Sequence, residues 1–462
     1  MSVLLTIFMV VFLPLVDITN AERVLGAYVF QRHGDRTAKS WPPTKLTNLG
    51  YTQDTDIVNL SQVTASAPQD DVIENSGEGF LQGLYPPIGS LATDTLRNGS
   101  TIQSPMNGYQ LIPMSDVKSG SGSEDNMWLQ STTSCNNAKV SSNNYFFSNS
   151  FKSVLSSTKE LYQSLEPLVN GTFSSAELNF ENGYTIWDLL HVALIHNSTT
   201  AFPPSSLLND QMMQRLFVLA SEHESNLAYN SSDQIRAVAG MTLAGEVLAA
   251  LNETITSSGK SKLNIQFGAY ATFLSYFGLA GLSTTDERFT SIPDYASSMV
   301  WELVTNNTGT GMPSTSDISV RFMFHNGTSV EGSTDLQAYP LFRQSMLELS
   351  WAEFVDKSNE FAISSQQQWC QACGNTTGTC SSTSNDADGD SSSSSSSSGS
   401  SGRGMSLGVA GVIGAMVTLG VIIGLLVLGM FIFGLRLVPK SALASVRRGS
   451  DTSTTSALKA TA

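Results

Sequence analysis

Between Leu407 and Leu435 the chain carries no charged residue. A helix needs about 20 apolar residues to cross the hydrocarbon core of a bilayer. The run is therefore predicted to be a transmembrane helix, and it places the two flanking parts of the chain on opposite sides of a membrane. Arg436, Lys440, Arg447 and Arg448 follow it, whereas only Arg403 closely precedes it. The positive-inside rule puts residues 436–462 in the cytoplasm. A polar tail after the span also excludes a glycolipid-anchor signal, which would end in its hydrophobic stretch. Gly420 and Gly424 have the spacing of a helix-pairing motif, but glycine is common in such spans, and the oligomeric state stays open.

The rest of the sequence agrees with this orientation. Residues 1–21 read as a signal peptide, with an apolar run at Leu4–Val16 and a small residue, Ala21, before the expected cut; a basic start is missing. Nine Asn-x-Ser/Thr sequons stand at Asn59, Asn98, Asn170, Asn197, Asn230, Asn252, Asn306, Asn326 and Asn375, as expected of a glycoprotein. Cys135, Cys370, Cys373 and Cys380 all precede the span. Four cysteines in an oxidising compartment imply two disulfides, and their spacing leaves three pairings open. Zinc at Cys370-x-x-Cys373 is the weaker alternative, because neighbouring ligands are missing. The expectation is a single-pass type I protein of the cell membrane or a secretory-pathway membrane, its larger part extracellular or lumenal. The net charge of −15, with 24 basic residues, excludes nucleic acid as a natural partner.

Residues 381–406 are dominated by serine and glycine and read as a flexible stalk. The folded part is then residues 22–380. Its first strand is expected at Val24–Phe30, and a Ser/Asn/Gly-rich stretch at about 118–150 reads as irregular. SVLSSTKELYQSLEPL and SDQIRAVAGMTLAGEVLAALNETI carry apolar residues three and four apart and read as helices. KLNIQFGAYATFLSYFGLAGL reads as strand, short loop and helix, and VRFMFHNGT as an alternating strand. Strands at both ends with helices between imply an α/β core with a helical cap inserted within about residues 100–256.

The first strand runs directly into Arg32-His33-Gly34-Asp35-Arg36. Ligands bind at the C-terminal ends of strands in an open α/β sheet. Two guanidinium forks suit phosphate oxygens. A neutral histidine between them can attack phosphorus while the arginines stabilise the developing charge. The stretch FQRHGDRT resembles the signature of the histidine phosphatase superfamily, in its acid phosphatase and phytase branch. Leu46–Gly50, FLQGLYPP, IPDYASSMVWEL and VRFMFHNG resemble later blocks of that branch in the same order. The resemblance implies a three-layer α/β/α sandwich, phosphoglycerate mutase-like, with an inserted helical cap. It implies His33 as nucleophile, Arg32 and Arg36 as phosphate clamps, a phosphomonoester or other small anion as ligand, and neither cofactor nor metal. One departure is that Thr37 is followed by Ala38 rather than by the branch's proline.

Two larger departures bear on chemistry. The branch carries a third arginine upstream of FLQGLYPP, yet QDDVIENSGEGFLQGLYPP has none, and Val72 or a neighbour stands there. The branch also carries a His-Asp pair after a late strand, where the histidine binds phosphate and the aspartic acid protonates the leaving oxygen. Here Ala269 and Tyr270 occupy that frame, and none of His33, His191, His196, His223 and His325 precedes an aspartate. Asp35 or Glu302 would be the substitute acids. His191 with Asp188 reads as a packing and capping pair, and His223 between two glutamates as a solvated face. His325-Asn326, being part of a sequon, argues against a buried pocket there. Two functions follow: slow or specialised phosphomonoester hydrolysis through His33, or a surface protein that kept the anion site and lost turnover.

Overall fold

The computed structural model describes residues 22–32, 58–117, 134–196, 208–327, 336–377 and 380–381. The signal peptide, the 407–435 run, its tail, nearly all of the stalk, and His33 and Arg36 lie outside the described residues.

Ten strands are present among them: β1 Arg23–Arg32, β2 Val63–Pro68, β3 Thr93–Thr95, β4 Thr101–Gln103, β5 Met114–Val117, β6 Leu263–Gly268, β7 Ser298–Thr305, β8 Ser319–His325, β9 Gln337–Ala338 and β10 Glu348–Ser350. One eight-stranded sheet runs β10-β8-β7-β1-β6-β2-β5, with β9 beside β8; β3 and β4 form a separate ribbon. The strands β1, β6, β2 and β5 pair in parallel, and β7, β8 and β10 continue the sheet antiparallel. β1 is central, paired on both edges and packed on both faces. Tyr28 and Phe30 join the larger core with the helices Val238–Thr256 and Tyr270–Leu279. Val29 packs instead with the helix Asp71–Leu84 in a smaller core around Ile73, Leu81 and Phe267. The sheet thus carries helices on both faces.

The strand-loop-helix expected at 262–282 is present, and its loop is a single residue, Ala269, between β6 and the helix Tyr270–Leu279. β8 alternates half-buried and buried residues along its length, as its sequence pattern requires. The helices Val238–Thr256 and Tyr270–Leu279 touch closely because Gly240 has no side chain: a Cβ there would lie 2.6 Å from the Tyr276 nitrogen. The Val238–Thr256 helix belongs to a segment apolar and long enough to cross a membrane, Gln234–Thr256, but that segment is mostly buried within the fold.

Between β5 and β6 every described element is helical. Two sequence expectations change here. The helix read through SVLSSTKELYQSLEPL is three pieces, Asn149–Ser157, Lys159–Ser164 and Glu166–Val169, the last with Pro167 in its first turn, where the missing N–H breaks continuity with the preceding piece. Residues 136–150 are not irregular, since the helix Asn136–Asn143 lies within them. Its weak intrinsic propensity is overridden by tertiary contacts. Ala138 and Ser141 are buried, and the buried Arg236 donates to the Ser141 hydroxyl (3.1 Å) and carbonyl (2.6 Å). Cys135, just before that helix, bonds to Cys373, and Cys370 bonds to Cys380, around Trp369 and Val238. These disulfides select one of the three pairings and remove the zinc alternative.

Candidate active site

Arg32 ends β1 with 3% of its surface exposed. Its backbone nitrogen donates to the Ser297 carbonyl (2.8 Å), and its Nη1 donates to the Pro293 carbonyl. Its guanidinium carbon lies 4.5 Å from the Tyr295 ring centroid and 5.5 Å from that of Tyr270. Among the described residues the buried Nε–H has no acceptor. Among the described residues no carboxylate forms an ion pair with Arg32. A buried guanidinium held by two rings and a carbonyl has its charge only partly compensated, a state that favours a bound anion.

β6 delivers the second element. Arg32 registers with Gly268, so the loop after β6 emerges beside the end of β1. A Cβ at Gly268 would lie 2.4 Å from the Phe30 ring, which explains glycine there. Ala269 offers no side chain to the helix start. Tyr270 is 5% exposed, lies against the Tyr184 ring at 5.0 Å, and donates its hydroxyl to Glu224 Oε2 at 2.7 Å. Burial first, then the Glu224 carboxylate and Tyr184, push the Tyr270 hydroxyl well above its ordinary value. A hydroxyl so held is a poor proton donor.

Glu224 in turn meets His223, Oε1 to Nδ1 at 2.8 Å. His223 is 5% exposed, boxed by Tyr145, Phe146, Phe151 and Phe180. The solvated face expected there is thus wrong, because the aromatic residues that bury it come from an earlier segment whose folding the sequence pattern did not show. Glu302 is also not a substitute acid. It registers with Ala27, five residues before Arg32, and pairs with Arg321 at 2.8 Å. At the start of the Asp71–Leu84 helix, where the resemblance implies a third arginine, Val72 is buried and the neighbours Asp71 and Glu74 are acidic. Burial first, then Asp116, Asp71, Glu78 and Asp70, raise the Glu74 carboxyl above its usual range.

Arg32 opens onto a cavity of about 370 Å³, lined also by Trp187, His191, Tyr295, Asp210, Asp294 and Asn326. The His191 ring stacks on Trp187 at 4.9 Å and 13°, so its packing role holds, yet it also faces the cavity. The sequon residue Asn326 is exposed at the same cavity, where its Oδ1 accepts from the Asp294 nitrogen (3.0 Å) and Ser297 hydroxyl (3.1 Å). Glycosylation potential and a pocket therefore coexist. Tyr295 was the residue the sequence did not single out. Its signal was its place in the IPDYASS block that precedes β7.

The fold and site define a mixed α/β protein with a pocket at the end of its central strand, into which the buried Arg32 opens. A family model of the histidine phosphatase superfamily (branch 2) matches residues 25–325, and the chain belongs to that family. Among solved structures, the phytase from Citrobacter braakii is similar at 12% identity and a TM-score of 0.49, over 76% of this chain and 99% of that one. The Hafnia alvei phytase in complex with tartrate is similar at 11% identity and a TM-score of 0.47, over 76% and 98%. The Bifidobacterium longum multiple inositol polyphosphate phosphatase in complex with phosphate is similar at 11% identity and a TM-score of 0.40, over 75% and 94%. No curated protein matches the chain in sequence.

Proposed function

We propose that this chain is a membrane-anchored, glycosylated phosphatase-like protein that binds phosphomonoesters at the end of β1 and hydrolyses only those with a good leaving group. The observation that carries the binding half is Arg32, a buried guanidinium with an unmet Nε–H and no carboxylate partner among the described residues. In this reading His33 attacks phosphorus, the P–O ester bond breaks, and the electron pair leaves on the ester oxygen. Arg32 and Arg36 stabilise the charge on the transferring group, and water then releases phosphate from the phosphohistidine. Tyr270, which stands where the resemblance expects the proton-donating aspartic acid, does not replace it, because its hydroxyl is engaged by Glu224. A missing general acid removes about 10²–10⁴-fold in rate, and the loss is greatest for alkoxides.

The absence of an arginine from QDDVIENSGEGFLQGLYPP, where the resemblance expects a third phosphate clamp, favours a second reading, an anion-binding protein without turnover. One experiment separates the two. The full-length chain in detergent is assayed with an aryl and an alkyl phosphate, beside His33→Ala, and its melting temperature is followed with tungstate. Aryl hydrolysis that disappears in His33→Ala, with no alkyl hydrolysis, supports the first reading. A tungstate-dependent rise without hydrolysis supports the second. Neither signal would remove the anion site altogether.

A further inference from the structure

We propose that the Arg32 cavity accepts one phosphate on a single flat aromatic ring, an aryl monoester, and not a polyphosphorylated polyol; the inference rests on the phosphomonoester reading above. The wall beside the guanidinium is built of aromatic rings packed on one another. Arg32 lies 4.5 Å from the Tyr295 ring, Tyr295 lies 6.2 Å from His191 at 28°, and His191 stacks on Trp187. A phosphate on Arg32 therefore directs its ester substituent along aromatic surface. Ring-on-ring contact rewards a planar apolar group and gives a sugar-like polyol nothing comparable.

Charge points the same way. Arg32 is the only arginine or lysine among the described residues lining the cavity, and Asp210 and Asp294 line it too. Asp294 is fixed there, its Oδ1 accepting from the Tyr295 nitrogen at 2.8 Å. In this reading Arg32 and Arg36 are both taken up by the one phosphate, while the two carboxylates repel any further phosphate on the alcohol part. The volume, about 370 Å³, falls at the small end of ligand sites. An aryl ester also supplies what the site lacks, since a phenolate leaves without a proton donor far more readily than an alkoxide.

Binding tests this without requiring turnover. The full-length chain is titrated with phenylphosphonate, methylphosphonate and inositol hexakisphosphate by calorimetry. Phenylphosphonate should bind about tenfold more tightly than methylphosphonate, a difference of about 1.4 kcal/mol. The preference should shrink to within about threefold in His191→Ala and persist in His191→Phe, which keeps a ring. Asp210→Asn should strengthen inositol hexakisphosphate more than phenylphosphonate. Equal binding of the two phosphonates, or tighter binding of inositol hexakisphosphate by the wild type, overturns the inference and leaves the phosphomonoester reading standing. A preference untouched by His191→Ala overturns the assigned wall. Binding of none of the three overturns the phosphomonoester reading itself.

Discussion

At the scale of single residues, the proposed loss of turnover rests on Ala269 and Tyr270, which stand where the family resemblance expects a His-Asp pair. Tyr270 is bound into the fold at three points, by the Glu224 carboxylate, the Tyr184 ring and the Arg32 guanidinium. Restoring the pair with Ala269→His and Tyr270→Asp should raise alkyl phosphate hydrolysis by about 10²-fold, with a smaller gain for an aryl ester. The same change should lower stability by about 3–5 kcal/mol, because a buried ring is lost and Glu224 Oε2 loses the Tyr270 hydroxyl. Kinetics at low temperature on both esters, with a His33→Ala control, check this; equal gains for the two esters would show that the loop does not serve the leaving oxygen. The frame around Ala269-Tyr270 was readable because strand and helix flank it in sequence. The His223–Glu224 arm was not, because its aromatic box is built by residues about 40 to 80 positions earlier and no local pattern announces such a contact.

Among the elements, β1 and β6 position everything, and their closeness depends on one missing methyl. Gly268→Ala would push a Cβ to 2.4 Å from Phe30, which is fully buried and flanked by Phe273 at 5.1 Å. Overpacking of this kind should destabilise by about 1–3 kcal/mol, measured as a lower denaturation midpoint with an unchanged slope. Phe30→Leu in the same chain should recover part of the loss. Element type was legible wherever periodicity was strong, as in β8 and the Val238–Thr256 helix. It failed at 136–150, where Ser and Asn dominate and a disulfide with distant contacts holds the helix. The pairing of four cysteines could not be read at all, since it depends on which chain ends meet in space.

For the molecule as a whole, two measurements follow. Tyr28, Tyr145, Tyr162, Tyr270 and Tyr276 are all buried, and burial is the first cause raising each hydroxyl above its ordinary value. The unfolded chain then releases these protons first, so stability present below about pH 10 falls as pH rises past it. Melting temperature against pH should turn downward there, less steeply in Tyr276→Phe. Second, protease applied to intact cells should release a glycosylated fragment and leave residues 436–462 protected; a full-length protein in the medium would contradict the proposed topology. The two disulfides bear on that topology mechanically. On the proposed anchoring, a pull along the stalk enters the folded part next to Cys380. Cys380 is bonded to Cys370, and Cys373 to Cys135, far back in the chain. The helix Gln366–Cys373, which carries both Cys370 and Cys373, therefore cannot be peeled away turn by turn. Under tension the load passes through sulfur into the helical region, and the β1 site should keep its shape until those bonds are reduced.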